Sequence, residues 1–164
     1  MRSCVYLVIG VIAACSNNGA KREDGSTMPP PKSDSKPAAD KAAKVYLGTP
    51  GGDVAVDVEV VATWPKIEKG LMYREHLPPE GGMLFMMGYE SDHAFYMRNT
   101  LIPLDMIFIK KDMTIGGIVE NAEPRTETLR KTGVLTLYVL EVNGGYTRAH
   151  GVHAGAKVRF DGVP

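Results

Sequence analysis

Residues 102–109 read Ile-Pro-Leu-Asp-Met-Ile-Phe-Ile. On an extended chain successive side chains point to opposite faces. Ile102, Leu104, Met106 and Phe108 then share one face, and Asp105, Ile107 and Ile109 share the other. Both faces are apolar, so this segment is expected to be a strand covered on two sides. Residues 134–142, Val-Leu-Thr-Leu-Tyr-Val-Leu-Glu-Val, repeat the pattern, with Leu135, Leu137 and Val139 on the face of Glu141. Two doubly covered strands thus carry one acid each. A buried carboxyl must be paired, hydrogen-bonded or protonated. Arg74 and Arg98 are the expected partners.

Working outward, Val54, Val56, Val58 and Val60 alternate with Ala55, Asp57 and Glu59, the period of a strand with one wet face. Met83–Met87 is an apolar run too short for a helix. His93–Arg98, Ile115–Val119 and Ala156–Phe160 read as further strands, separated by polar turns and by a loop at 121–133. Thr63 is placed to cap a short helix from Trp64 to Met72, with Pro65 in its first turn, where a missing N–H costs nothing. Gly70 within it suggests close backbone approach. Residues 145–150 can make one or two helical turns ended by Gly151. Six or seven short strands with two short helices make a mainly β (α+β) domain. A small closed or partly closed β-barrel is the economical arrangement, because short strands otherwise leave open edges.

Several strings carry a family resemblance. Gly70-Leu71-Met72-Tyr73-Arg74, Gly82-Met83-Leu84-Phe85, the long segment Phe95 to Ile109, and Val139-Leu140-Glu141-Val142-Asn143-Gly144-Gly145 together resemble the DUF 192 family. The closing stretch 151–158 fits its C-terminal part. The resemblance covers roughly residues 54–160. It implies a compact β-rich domain with short helices, often found behind a signal peptide, and it implies no established activity. Tyr96 and Arg98 stand where the family commonly has Trp and Lys, which keeps an aromatic and a cation. Ala156 stands where aspartate is frequent, which weakens any role for that last turn. The motif residues are Arg74, Asn99, Thr100, Asp105 and Glu141.

The two ends of the chain differ in kind. Residues 1–14 have a basic Arg2 and then an apolar run, as in a secretory signal. That run is too short for the roughly 20 residues that cross a bilayer. Ile12-Ala13-Ala14-Cys15 resembles a bacterial lipobox, so Cys15 is the expected lipidation site, and Ser16 after it is similar to lipoproteins of the outer membrane. Residues 15–44 are then a lipidated cysteine and a Pro/Lys/Ala/Ser tether, since 16–43 carry no aromatic, Leu, Ile or Val to offset ordering entropy. The folded domain is 45–164. The whole chain has 19 basic and 19 acidic side chains, and the part from Lys44 onward has 13 and 15, a net of −2. A phosphate-backbone partner would need clustered cations, so nucleic acid is not an expected partner.

Both cysteines, Cys4 and Cys15, lie in the leader region, which leaves the domain no thiol for a disulfide, zinc site or nucleophile. Six of the nine methionines fall between Met72 and Met106, near His93. Thioethers can hold Cu(I), but methionine is also a gap-filling core residue. His150 and His153 lack a third ligand signal. No metal or cofactor is expected. Without a phosphate loop, a nucleophile elbow or a Ser-His-Asp order, binding stands ahead of catalysis. The leading expectation is an envelope lipoprotein held at the outer membrane, on its periplasmic face. Its domain binds a small polar ligand or an envelope protein through Arg74, Arg98, Asn99, Thr100, Asp105 and Glu141. The enzyme alternative is a hydrolase of an envelope glycan with Asp105 and Glu141 as acid and base. The third is a purely structural clamp between arginines and carboxylates. For the anchor, mass spectrometry of the processed protein should find an acylated Cys15 at the N-terminus. An unmodified Cys15 would end the lipoprotein reading.

Overall fold

A computed structural model describes residues 43–164. The signal segment, Cys15 and nearly all of the tether lie outside the described residues. Seven strands and two short helices follow in the order β1 (Lys44–Thr49), β2 (Gly52–Val61), α1 (Trp64–Lys69), β3 (Gly81–Ser91), β4 (Leu104–Ile109), β5 (Ile115–Ala122), β6 (Thr136–Asn143), α2 (Tyr146–His150) and β7 (Val158–Asp161). They form one mainly β sheet in the order β5-β4-β6-β3-β2-β1-β7. It curls into a half-barrel, and its two edges approach at a single antiparallel bridge between Thr114 and Lys157. All pairings are antiparallel except β2 with β3, which run parallel because α1 forms the crossover between them. Neither described helix is long and apolar enough to cross a membrane.

Three adjacent strands, β4, β6 and β3, alternate between two cores. On one face Leu84 of β3, Ile107 and Ile109 of β4 and Leu140 and Val142 of β6 join residues from every other strand and from α2. On the opposite face Met83, Phe85 and Met87, Leu104, Met106 and Phe108, and Val139 meet Leu71, Leu77 and Met97 from segments outside the sheet. This is the two-sided burial that the apolar runs predict. Each fully buried Leu, Ile, Phe or Met contributes about 1.5–3 kcal/mol relative to exposure.

Three local expectations differ. His93–Arg98 is not a strand. β3 is already flanked by β2 and β6, so no sheet edge remains beside it, and Phe95 makes only one isolated bridge, with Arg130. β1, which the alternation analysis does not single out, pairs along its whole length with β2. Helix α1 stops at Lys69, short of Met72, because Gly70 turns at φ 46°. A side chain there would press on the Phe85 ring at 3.3 Å, which is the close approach Gly70 permits. Thr63 occupies the N-cap position but its hydroxyl makes no capping bond.

Asp105 is wholly buried, and no arginine reaches it. Its Oδ1 accepts hydrogen bonds from the backbone N–H of Asn121 (2.7 Å) and Gly145 (2.9 Å). Its Oδ2 accepts from the N–H (2.8 Å) and hydroxyl (2.6 Å) of Thr147. A carboxyl on β4 thus satisfies the free N–H groups at the start of α2, a helix without a side-chain cap of its own, and ties that helix to the end of β5. Asp105→Asn would set an amide NH2 against these donors. The expected loss is about 3 kcal/mol, or a melting midpoint roughly 10 °C lower. An unchanged midpoint in a thermal melt would show that Asp105 does not staple the fold.

Candidate functional site

The residues singled out by sequence separate in space. Arg74 forms a two-pronged ion pair with Glu59 of β2, Nη2 to Oε2 at 2.6 Å and Nη1 to Oε1. This pair holds the Glu59 carboxyl below its ordinary range. The expected arginine–carboxylate clamp therefore exists, but on the surface and with a different acid. Arg98 is 57% exposed and lies 3.8 Å from Glu127, so it too is no partner of Asp105 or Glu141. Asn99 adopts φ 58° and shapes a turn, its carbonyl accepting from the N–H of Tyr73 at 2.8 Å.

Asp105 and Glu141 face opposite sides of the sheet. Register pairs Asp105 with Val142, and Met106 with Glu141. Neighbours along β6 point to opposite faces, so the one-residue offset sends Asp105 to the α2 side and Glu141 to the α1 side. They share no cleft. An acid–base pair made of these two is thereby removed, since such a pair must flank one substrate bond.

Glu141 and Thr100 both line a cleft of about 330 Å³ on the α1 side. Each is only 5% exposed. Among the described residues neither the Glu141 carboxyl nor the Thr100 hydroxyl has a hydrogen-bond partner, and both line the cleft. Burial alone pushes the Glu141 carboxyl up from 4.5 to about 8, so at neutral pH it is largely a neutral acid that can both donate and accept. The walls follow from local structure. On one side α1, six residues long with no fully buried side chain, offers Trp64 and Ile67. The opposite wall is residues 94–100, pinned by hydrogen bonds between Phe95 and Arg130 and from the Met97 N–H to the Thr126 carbonyl at 2.9 Å. Phe95 stands edge-on to Phe85 at 5.2 Å and to Phe108 at 6.2 Å, which fixes its ring. Phe85 and Met87 of β3 close the back. A neighbouring shallower groove shares Glu68, Lys69, Met72 and Tyr96 with the cleft and is also lined by Arg98 and Asn99.

Thr100 and Glu141 stand out in the sequence, but the walls do not. Trp64 and Phe95 read only as aromatic residues near a helix start and in a mostly apolar run, and Tyr96 only as an aromatic that the family resemblance retains. Trp64 is 64% exposed, an unusual position for a large apolar ring. Among the described residues no group of three or more His, Cys, Asp or Glu side chains is placed to hold a metal ion.

The proton on Glu141 has a measurable consequence. Between about pH 4.5 and about pH 8 the unfolded chain has released that proton while the folded protein keeps it. Its contribution to stability therefore falls as pH rises, by at most about 1.4 kcal/mol per pH unit. Glu141→Gln removes this dependence. The stability of the variant minus that of the native protein should rise from about pH 5 to about pH 8 and level off above, and carboxyls common to both chains, such as Glu59, cancel in the difference. Denaturant unfolding across that range measures it. A difference independent of pH would contradict a carboxyl kept neutral by burial.

Comparison with known proteins agrees with this architecture. Residues 46–160 match the family model DUF192, described as an uncharacterized ACR, COG1430. A protein of Sinorhizobium meliloti 1021, described as a candidate transcription regulator, has a crystal structure that superposes with a TM-score of 0.71 at 36% identity, covering 77% of this chain and 98% of that one. A protein of unknown function from Novosphingobium aromaticivorans DSM 12444 superposes at 0.69 with 38% identity, covering 71% of this chain and 83% of that one. Among curated proteins no relative matches. A sequence match across most of the chain, together with closely similar folds at more than a third identity, places this chain in the DUF192 family.

Proposed function

We propose that the domain is a binding module for a small molecule with an apolar body and one polar head, held in the cleft between α1 and residues 94–100. The observation that carries this reading is the pair of unpartnered, almost fully buried polar residues, Glu141 and Thr100, in a cleft whose walls are largely apolar and aromatic and whose other charged lining residues, Glu68 and Lys69, are exposed. Buried polar groups in native proteins are ordinarily satisfied, and a concave apolar site with a few convergent polar groups is the usual form of a ligand pocket. Of the six residues first grouped as a recognition cluster, Thr100 and Glu141 line the cleft, Arg98 and Asn99 line the adjoining groove, and Arg74 and Asp105 act as structural ties. A glycan hydrolase built on Asp105 and Glu141 is not favoured, since the two carboxyls face opposite cores. The description of the Sinorhizobium relative raises nucleic acid, but 13 basic against 15 acidic side chains from Lys44 onward offer no net cationic domain.

In the same reading the domain is carried on a tether from an acylated Cys15 at the periplasmic face of the outer membrane. Several acyl chains on one residue would anchor it stably, each buried methylene adding about 0.8 kcal/mol.

The test is a thermal-shift screen of the full chain against small fragments, with Ala94→Trp as control. Ala94 is exposed at the cleft wall, so a tryptophan there fills the cleft from its mouth at little cost to the core. A ligand at a hundred times its Kd stabilises by about 2.7 kcal/mol. Fragments should raise the melting midpoint of the native protein and leave the variant unmoved. A screen in which no fragment shifts the midpoint, or in which the shifts persist in Ala94→Trp, would overturn the reading.

A further inference from the structure

We propose that the cleft takes an organic ammonium ion, its NH3⁺ seated between the Glu141 carboxyl and the Thr100 hydroxyl and its carbon body against Trp64, Phe95 and Tyr96. The inference rests on the small-ligand reading above and adds the charge of the ligand.

Four features of the cleft point the same way. First, Glu141 has no counter-ion of its own. Arg74 is committed to Glu59, Arg98 sits outside at Glu127, and Lys69 is an exposed residue on the rim. A ligand that brings an ammonium supplies the missing counter-charge together with N–H donors for the Glu141 carboxylate and the Thr100 hydroxyl oxygen. Second, the walls are aromatic. Ring faces attract ammonium groups, most strongly where water is excluded. Third, an anionic ligand would meet a carboxyl with no arginine lining the cleft to offset the charge. Fourth, a sugar is poorly served. Its many hydroxyls would be buried against aromatic and thioether surface with two unpartnered side chains to receive them, and each unmade hydrogen bond costs about 1–3 kcal/mol. A volume of about 330 Å³ suits a compact amine of about ten heavy atoms.

Binding of a cation is then coupled to loss of the Glu141 proton, because the ammonium favours the ionised carboxyl. The other titratable groups lining the cleft are Glu68 and Lys69 of α1 and Tyr96 of the facing wall. The strands beneath present Met83, Phe85, Met87 and Met106, none of which titrates. One proton per ligand is therefore expected below the range where Glu141 ionises in the free protein. The same ammonium could come from a free amine or from a lysine side chain presented by another protein.

Isothermal titration of the full chain in two buffers of different ionisation enthalpy tests this. The probes are phenethylamine, the neutral 2-phenylethanol, the anionic 3-phenylpropionate and a capped lysine, Nα-acetyl-lysine methylamide. Phenethylamine should bind, release about one proton near about pH 6, and tighten about tenfold per pH unit up to about pH 8. Glu141→Gln should weaken it at least about tenfold, the worth of roughly one charge-assisted hydrogen bond, and abolish the proton release while leaving 2-phenylethanol unaffected. Tighter binding of the capped lysine would identify a protein side chain as the occupant, and tighter binding of phenethylamine a free amine. If 2-phenylethanol or 3-phenylpropionate binds, is lost in Ala94→Trp, and neither amine competes, the ammonium inference falls and the small-ligand reading stands. Failure of both amines at millimolar concentration also overturns it, whatever the fragment screen returns.

Discussion

Every major feature of this domain follows from one constraint: three adjacent strands, β4, β6 and β3, are apolar on both faces and both faces must be covered. The sheet meets half of the demand by curling, so that residues from all seven strands and from α2 fill one core. The other face cannot be covered by the same sheet. It relies on what the connections supply, namely the crossover helix α1 and the chain between β3 and β4. A six-residue helix is a small cover. The cleft is the part of that face where the cover is incomplete, and Glu141 lies beneath it.

The two buried acids illustrate how finely this is set. Asp105 and Glu141 lie on adjacent strands in similar sequence surroundings, yet a register offset of one residue sends them to opposite cores. Asp105 meets the start of α2 and there receives four hydrogen bonds. It is a structural cap supplied from a strand. Glu141 meets apolar side chains and open space, and burial raises its pKa instead. The same chemical group thus serves as a staple in one case and is left without a partner in the other. The difference comes from what fills the space opposite.

Much of this was legible in the chain. Double-sided burial of 104–109 and 139–142, the one-sided alternation near Val56, the two short helices and the C-terminal turn at Gly151 all rest on local periodicity and turn chemistry, and the structure has them. What was not legible depends on distant neighbours. The apolar run at His93–Arg98 has strand composition, but no free edge remains beside it, so it lies across the sheet as a wall instead. Arg74 was correctly read as one half of a clamp, yet its partner is Glu59 on β2, because the parallel crossover brings β2 alongside the segment that follows α1. Thr100 and Glu141 emerged from sequence as polar residues among apolar ones. The aromatic walls did not, since Trp64 and Phe95 are about thirty positions apart and meet only across the cleft.

The sequence by itself determined that two strands would be buried on both faces with one acid in each, and that the domain would be mainly β with short helices. That information is local, because a period of two assigns each side chain to a face relative to its neighbours. Only the tertiary structure decided which core each acid would enter and what it would find there. Register between strands, and the path of the connections over the sheet, arise from the packing of residues far apart in the chain. An acid's partners are fixed by that packing, and so, with them, is whether it holds the fold together or stays unpaired beneath a cleft.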